Sequence, residues 1–395
     1  MSCCTFAKRS GRSSTSSRPS SDVEAPKGAI EVLGTWDFKW PQNTKIRVAF
    51  QSPDSPDVDV NDFKKAVEQI KKLARSWTQT NGKNHAAIDF GFLETPLEPA
   101  DSTDPQNGSP FEAPNDLGAY GKVNYDVLVS LDQLPRGRRD PVSVELIERI
   151  FLPRSELGSF ARRQDYGVPT INIGPFAGLF DKGLANYYEF NPVGRFYVVH
   201  EFGHVLGLIH EHQNPNRRQH LAASYKEATA TAAIGSVNAL NALSEEVDGL
   251  ERQLESQRQR PLENQAGRLS GVEKELAQAR KNLKEGLSPI KARVKDFLAA
   301  RRIPLSTDES TLEQFILRQL VNVWPGNSEY SDLREWAKAE EPSVMDAPYY
   351  KCFLGLHAPK PNGECEECNG VFDAVLKNGP FPGDIEHLKS MYPLR

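Results

Sequence analysis

The chain has 395 residues with 48 basic and 53 acidic side chains, and its net charge of −5 offers no basic footprint for nucleic acid or an anionic membrane. Mean hydropathy is −0.54, and no apolar run approaches the ~20 residues that a bilayer-spanning helix requires. Five clustered cysteines are too few for a disulfide scaffold, so a packed core must carry one large or two medium domains.

Residues 1–29 are rich in Ser and Arg and have no acid before Asp22. They lack the apolar core of a secretory signal and read either as a solvated disordered tail or as an organelle transit peptide. The missing signal favours an intracellular site, with a secreted one left open. Lys45 to Phe50 follows as a strand, with Ile46, Val48 and Phe50 alternating. An amphipathic helix is predicted over Asp59–Thr78, where Val60, Phe63, Val67, Ile70, Ala74 and Trp77 recur at spacings of three and four. Ile88, Phe90 and Phe92 alternate again, as do Tyr125, Val127, Val129 and Leu131, across a stretch rich in Pro, Asp, Asn and Gly. Ile171 and Ile173 mark one more strand. Asn191-Pro192 then supplies an N-cap and a proline for the first helical position of the next helix.

That helix carries His200, Glu201, His204, Gly207 and His210, which spell HExxHxxGxxH. Chance co-occurrence of these five positions is on the order of one in a hundred thousand for a chain of this length. His200 and His204 lie one turn apart on one face, where both imidazoles can hold a single Zn²⁺ at ~2.0–2.1 Å. A helix that continued would carry His210 away from them. Gly207 can adopt positive φ and turn the chain so that His210 returns as third ligand. Three protein ligands leave a position for water and substrate, the pattern of a catalytic zinc. Glu201 beside them is placed to take a proton from the zinc-bound water as it attacks a carbonyl.

An insertion of two helices follows. Leu240, Leu243, Val247, Leu250 and Leu254 run at 3-4-3-4 spacing, and after Pro261 the series Leu269, Val272, Leu276, Ala279 and Leu283 repeats it. The expectation is an antiparallel helical hairpin of coiled-coil character, acting as a structural protrusion or as an arm for a protein partner through residues 217–303. Ser310 to Glu313 reads as a capping box opening a further helix with Leu312, Ile316 and Leu320. Cys352, Cys365 and Cys368, with His357 between, are compatible with a second zinc, a disulfide or separate thiols.

At HExxHxxGxxH the chain resembles the metzincin zinc endopeptidases, and the following Glu211-His212 is similar to the astacin-like branch. Ser343-Val344-Met345 resembles the Met-turn of that clan, and Gly383-Asp384-Ile385 to Met391-Tyr392-Pro393 resembles its C-terminal helix. The resemblance covers about residues 36–216 and 304–395. It implies an α+β fold of two subdomains: a twisted mixed sheet with backing and active-site helices, and a mainly helical lower part. Four regions follow: a tail (1–29), an upper catalytic subdomain (30–216), the helical hairpin (217–303) and a lower subdomain with the Met-turn (304–395). The resemblance further implies one catalytic Zn²⁺, a protein or peptide substrate, Met345 packed beneath the metal rather than ligating it, and a substrate-pairing edge strand near Ser155–Gln164. Astacins place a metal-reaching tyrosine two residues after this Met, where the chain has Ala347; Tyr349 or Tyr350 are the candidates to replace it at the oxyanion. The competing class is an inactive metzincin-like zinc protein that works as an interaction scaffold through its helical insertion.

Overall fold

In this computed structural model the described residues are 39–52, 59–94, 96, 125–131, 154–155, 170–174, 183–208, 210, 228–258, 265–300, 309–321, 343–346, 352–353 and 366–394. They form a mixed α/β fold, mostly helical, around a five-stranded sheet. Strands β1 (Thr44–Phe50), β4 (Ile88–Phe92), β5 (Val127–Ser130) and β7 (Ile171–Asn172) run parallel, and β6 (Arg154–Ser155) closes one edge antiparallel to β7. Their spatial order is β4-β1-β5-β7-β6. A separate hairpin of β2 (Gln79–Thr80) and β3 (Lys83–Asn84) turns at Asn81-Gly82, both at positive φ, as a two-residue hairpin loop requires.

Ile46, Val48 and Phe50 of β1 are buried as their alternation predicts. Strand β5 departs from its predicted alternation, because all of Val127–Ser130 is buried. An interior strand of a parallel sheet is covered on both faces and has no polar side to show.

Helix α1 (Val60–Arg75) crosses from β1 towards β4, capped by Asp59, whose carboxylate accepts from Asp62 N–H at 2.8 Å. Phe63, Val67, Ile70 and Ala74 face the core as predicted; Val60, the first helical residue, is 61% exposed. The helix ends sooner than predicted, so Trp77 sits in the turn beyond it, fully buried. Asp62 reaches further: its two oxygens accept from the N–H groups of Leu184 and Ala185, which start α2 (Leu184–Phe190). One helix thus caps another across the fold.

Helix α3 (Pro192–Val205) is apolar nearly all round, and Phe196, Tyr197, Val198, Val199, Phe202 and Val205 are all buried, as expected of a helix through the middle of a core. Phe202 meets Phe90 of β4 edge-on at 5.2 Å between ring centroids. On the opposite side Phe196 meets Phe372 of α7 (Glu366–Asn378) at 5.0 Å.

The insertion consists of α4 (Ala228–Arg258) and α5 (Gln265–Ala300). Ion pairs join Glu251 to Arg280 and Arg258 to Glu273, so seven residues up one helix correspond to seven down the other: the pair is antiparallel. Leu240, Val247 and Leu254 are buried with Val272, Leu276, Ala279 and Leu283 along the seam. The base of α5 is tied to the rest of the chain. Lys291 bridges Glu309 and Glu313 of α6 (Glu309–Ile316), Arg293 donates to the carbonyl of Phe353 at 3.0 Å, and Phe297 stacks edge-on against the Phe353 ring. Helix α6 runs into a π-helical turn at Leu317–Val321, and α8 (Pro382–Met391) ends the described fold. Among the described residues, no helix is long and apolar enough to cross a membrane.

Candidate metal centre

The site is built on α3. At its start Asn191 Oδ1 accepts from the N–H groups of Val193 and Gly194 at 2.9 and 3.1 Å, with Pro192 in the first turn where no donor is needed. At its end Gly207 N–H donates to His204 C=O (2.8 Å) and Leu208 N–H to Gly203 C=O (3.0 Å), with Gly207 at φ 96°. This pair of bonds is the Schellman motif, and a residue with a Cβ at Gly207 would be strained there. The predicted break therefore occurs where the sequence places it, and it brings His210 back over the helix.

His200, His204 and His210 converge, and their Nε2 atoms are 3.1–3.2 Å apart. All three are buried, His200 and His204 completely. The opposite ring nitrogens are spoken for: His200 Nδ1 lies 2.6 Å from Val344 C=O and His204 Nδ1 lies 2.7 Å from Leu208 C=O. A carbonyl can only accept, so each Nδ1 carries the proton and each of these two Nε2 atoms presents a lone pair. Two acceptors facing each other at 3.1 Å are satisfied by a cation. Three nitrogens held at ~2.0–2.1 Å by one tetrahedral zinc stand about 3.3–3.4 Å apart, close to the spacing here. The triad can hold a metal ion. Glu201, adjacent on the same helix, is completely buried.

The surrounding contacts hold the helix by its carbonyls. Trp77 Nε1 donates to Val199 C=O at 2.7 Å, Trp40 Nε1 to Val205 C=O at 2.6 Å, and the Tyr392 hydroxyl to Leu206 C=O at 2.8 Å. The last two satisfy carbonyls that a helix end leaves without intrahelical partners. Trp40 N–H also donates to the Tyr392 oxygen, and burial pushes the Tyr392 phenol well above its ordinary range. Met345 lies against Gly203, which sits between His200 and His204 on the helix: a Cβ on Gly203 would stand 2.4 Å from Met345 Sδ. A tight fit on the helix that carries the histidines is compatible with the packing role that the resemblance implies for Met345. Asp384 at the start of α8 accepts from Ser343 Oγ (2.5 Å), Val344 N–H (2.9 Å) and Phe381 N–H (3.1 Å). Burial raises its carboxyl to about 6 despite these three donors.

Of the sequence-predicted residues, the three histidines, Glu201 and Met345 meet at this one place. Tyr349, Tyr350, Ala347, Cys365, His357, Glu211, His212 and the tail lie outside the described residues. Cys352 is buried beside Phe353, and Cys368 falls on α7, a helix not predicted in that stretch. Four supporting roles are not legible in the sequence: Trp40, Trp77 and Tyr392 on carbonyls of the helix, and Asp384 on Ser343 and Val344. Their bonds to the helix and to the 343–344 turn join groups 40 or more positions apart, which leaves no periodic trace.

No protein-family model matches the chain, and no curated protein does. Among solved structures it is similar to two of myroilysin. One covers 49% of this chain and 65% of its own at 21% identity and TM-score 0.26. The other covers 52% and 59%, also at 21% identity, with TM-score 0.25. The matches span less than two thirds of each myroilysin chain, and TM-scores this low do not establish a shared fold.

Proposed function

We propose that this chain is a zinc-dependent endopeptidase of metzincin type, with His200, His204 and His210 holding one zinc ion and Glu201 acting as general base and acid. The observation that carries the reading is the convergence of three buried Nε2 atoms, two of them locked as acceptors by carbonyls on their far side. When bound, zinc supplies Lewis-acid polarisation of the scissile carbonyl and lowers the pKa of water. The chain's own residues supply the rest. Glu201 takes a proton from the attacking water and returns it to the leaving amine. Its buried position keeps bulk water from competing for that proton. Among the described strands β6 stands at the end of the sheet order, and this is the strand to which we assign the pairing of an extended peptide by backbone hydrogen bonds.

On the hairpin, no large hydrophobic side chain among the described residues is exposed, so the scaffold reading gains no support from an open apolar stripe there. The test is metal analysis paired with hydrolysis of casein. Purified protein should carry about one zinc, and Glu201→Gln should keep that zinc while losing at least about 10³-fold in hydrolysis, towards the upper part of the range for general acid–base catalysis. Equal hydrolysis by wild type and variant would overturn the role of Glu201, and loss of zinc in the variant would overturn the ligand assignment.

A further inference from the structure

Around Ser343 the hydrogen bonds form one continuous line. Ser343 Oγ lies 2.5 Å from Asp384 Oδ1, Met345 N–H lies 3.0 Å from Ser343 Oγ, and Val344 C=O lies 2.6 Å from His200 Nδ1. The Val344 C=O and the Met345 N–H belong to the same peptide group. The direction of every bond in the line is dictated by its end. An ionised carboxylate only accepts, so the Ser343 hydroxyl must donate to Asp384. Its oxygen is then the acceptor for Met345 N–H, and the carbonyl at the other end of that peptide group accepts from His200 Nδ1–H. The separation of 2.5 Å is that of a charge-assisted O–H···O⁻ bond.

We infer that Asp384 and Ser343 are positioning residues of the metal centre: through the 344–345 peptide they fix the His200 tautomer, orient its ring and strengthen Nε2 as a donor to the metal. This rests on the proposed assignment of His200 as a ligand. The dipoles along the line point the same way, so each bond polarises the next, and the negative charge of Asp384 is felt at the imidazole as a stronger pull on its Nδ1 proton. Metal-bound histidines commonly give their second ring nitrogen to a carboxylate directly; here a hydroxyl and a peptide group stand in between. Val344 N–H, donating to Asp384 Oδ2, holds the same turn by a second bond, so the carbonyl is fixed in position as well as polarised. His204 has no part in the line, since its Nδ1 proton goes to Leu208 C=O within its own helix end.

That difference provides the test. In ¹⁵N-edited NMR of the metal-free protein, Ser343→Ala and Asp384→Asn should move the His200 Nδ1–H resonance in the direction of a weaker hydrogen bond and leave that of His204 in place. Ser343→Thr, which restores a hydroxyl, should return His200 towards its wild-type shift. Chelator competition on the zinc-loaded protein should show Kd weakened by about 10-fold or more in Ser343→Ala, in the range seen for outer-shell partners of metal ligands. Ser343→Ala is the decisive variant if Asp384→Asn fails to fold. Equal movement of both histidines, or of neither, would overturn the relay. Selective movement of His200 in a protein that takes up no zinc would uphold the relay and refute the metal reading instead.

Discussion

Replacing Gly203 with alanine tests the seat of Met345 on helix α3. The added Cβ would stand 2.4 Å from Met345 Sδ and 2.8 Å from Trp77 Cζ2, both well inside van der Waals contact. Trp77 does not yield easily, being buried and bonded to Val199 C=O, and Met345 is buried among neighbours that limit where its side chain can go. Overpacking of this kind costs about 1–3 kcal/mol, and two contacts below 3 Å place it near the top of that range. Alanine in a helix interior returns roughly 0.5–1 kcal/mol. The expected net loss is about 2 kcal/mol, read from urea unfolding followed by tryptophan fluorescence. Because Met345 follows the carbonyl that holds His200, zinc affinity should fall with it. Gly249→Ala and Gly271→Ala on the hairpin are matched controls: a Cβ there meets nothing within 4 Å, so only the helix gain remains. A Gly203→Ala protein as stable as those controls, with unchanged zinc affinity, would refute the packing.

The remaining expectations concern pH and the insertion. Burial lowers His387 from 6.5 to about 4 and raises Asp384 from 3.8 to about 6. The His387 contribution is therefore present above pH 6.5 and lost as pH falls towards 4, about 2.5 units at about 1.4 kcal/mol each, or roughly 3 kcal/mol. The Asp384 contribution has the opposite sign: it is full below pH 3.8 and lost as pH rises through 6, by a similar amount. In metal-free wild type the two offset each other between pH 4 and 6. In His387→Gln only the second remains, so the stability of wild type minus that of the variant should drop by about 3 kcal/mol from pH 7 to pH 4 in urea titrations; a pH-independent difference would sink the idea. For the hairpin, replacing residues 252–279 by a short turn should leave zinc binding intact, because the anchors at Lys291, Arg293 and Phe297 are retained. Substrate range or partner capture should change instead, and a metal-free trimmed protein would show that the outer arm supports the site.

What the sequence made legible is what short-range geometry controls. The i, i+4 pair His200 and His204, the Gly207 turn and the Asn191 cap each depend on residues within a turn or two, so spacing alone specifies them. The strands of β1 and β4 were readable for the same reason. Strand β5 was legible as a strand, but its cover on both faces was not, because that depends on distant elements; helix α7 buries only Phe372 and Val375 among its described residues, too few to set a clear helical period. The Asn81-Gly82 turn was a readable signal that the strand pattern overlooked. Contacts such as Trp77 with Val199, or Asp62 with the start of α2, span 122 positions and need only one suitable atom at each end, so nothing in the local pattern announces them.

The Tyr392 bond to Leu206 spans 186 positions, and the whole insertion is synthesised between its two ends. At about 5–20 residues per second, helix α3 leaves the ribosome some 10–40 s before the residue that completes its C-terminal support. During that interval α3, apolar on nearly every face, has its sheet and α1 but neither Met345 beneath it nor α7 beside it. A helix so exposed is a natural client for a holding chaperone, whereas the insertion can zip up on contacts of its own while it waits. The order of translation thus leaves the histidine cluster and Glu201 without their C-terminal supports until Tyr392 has been made.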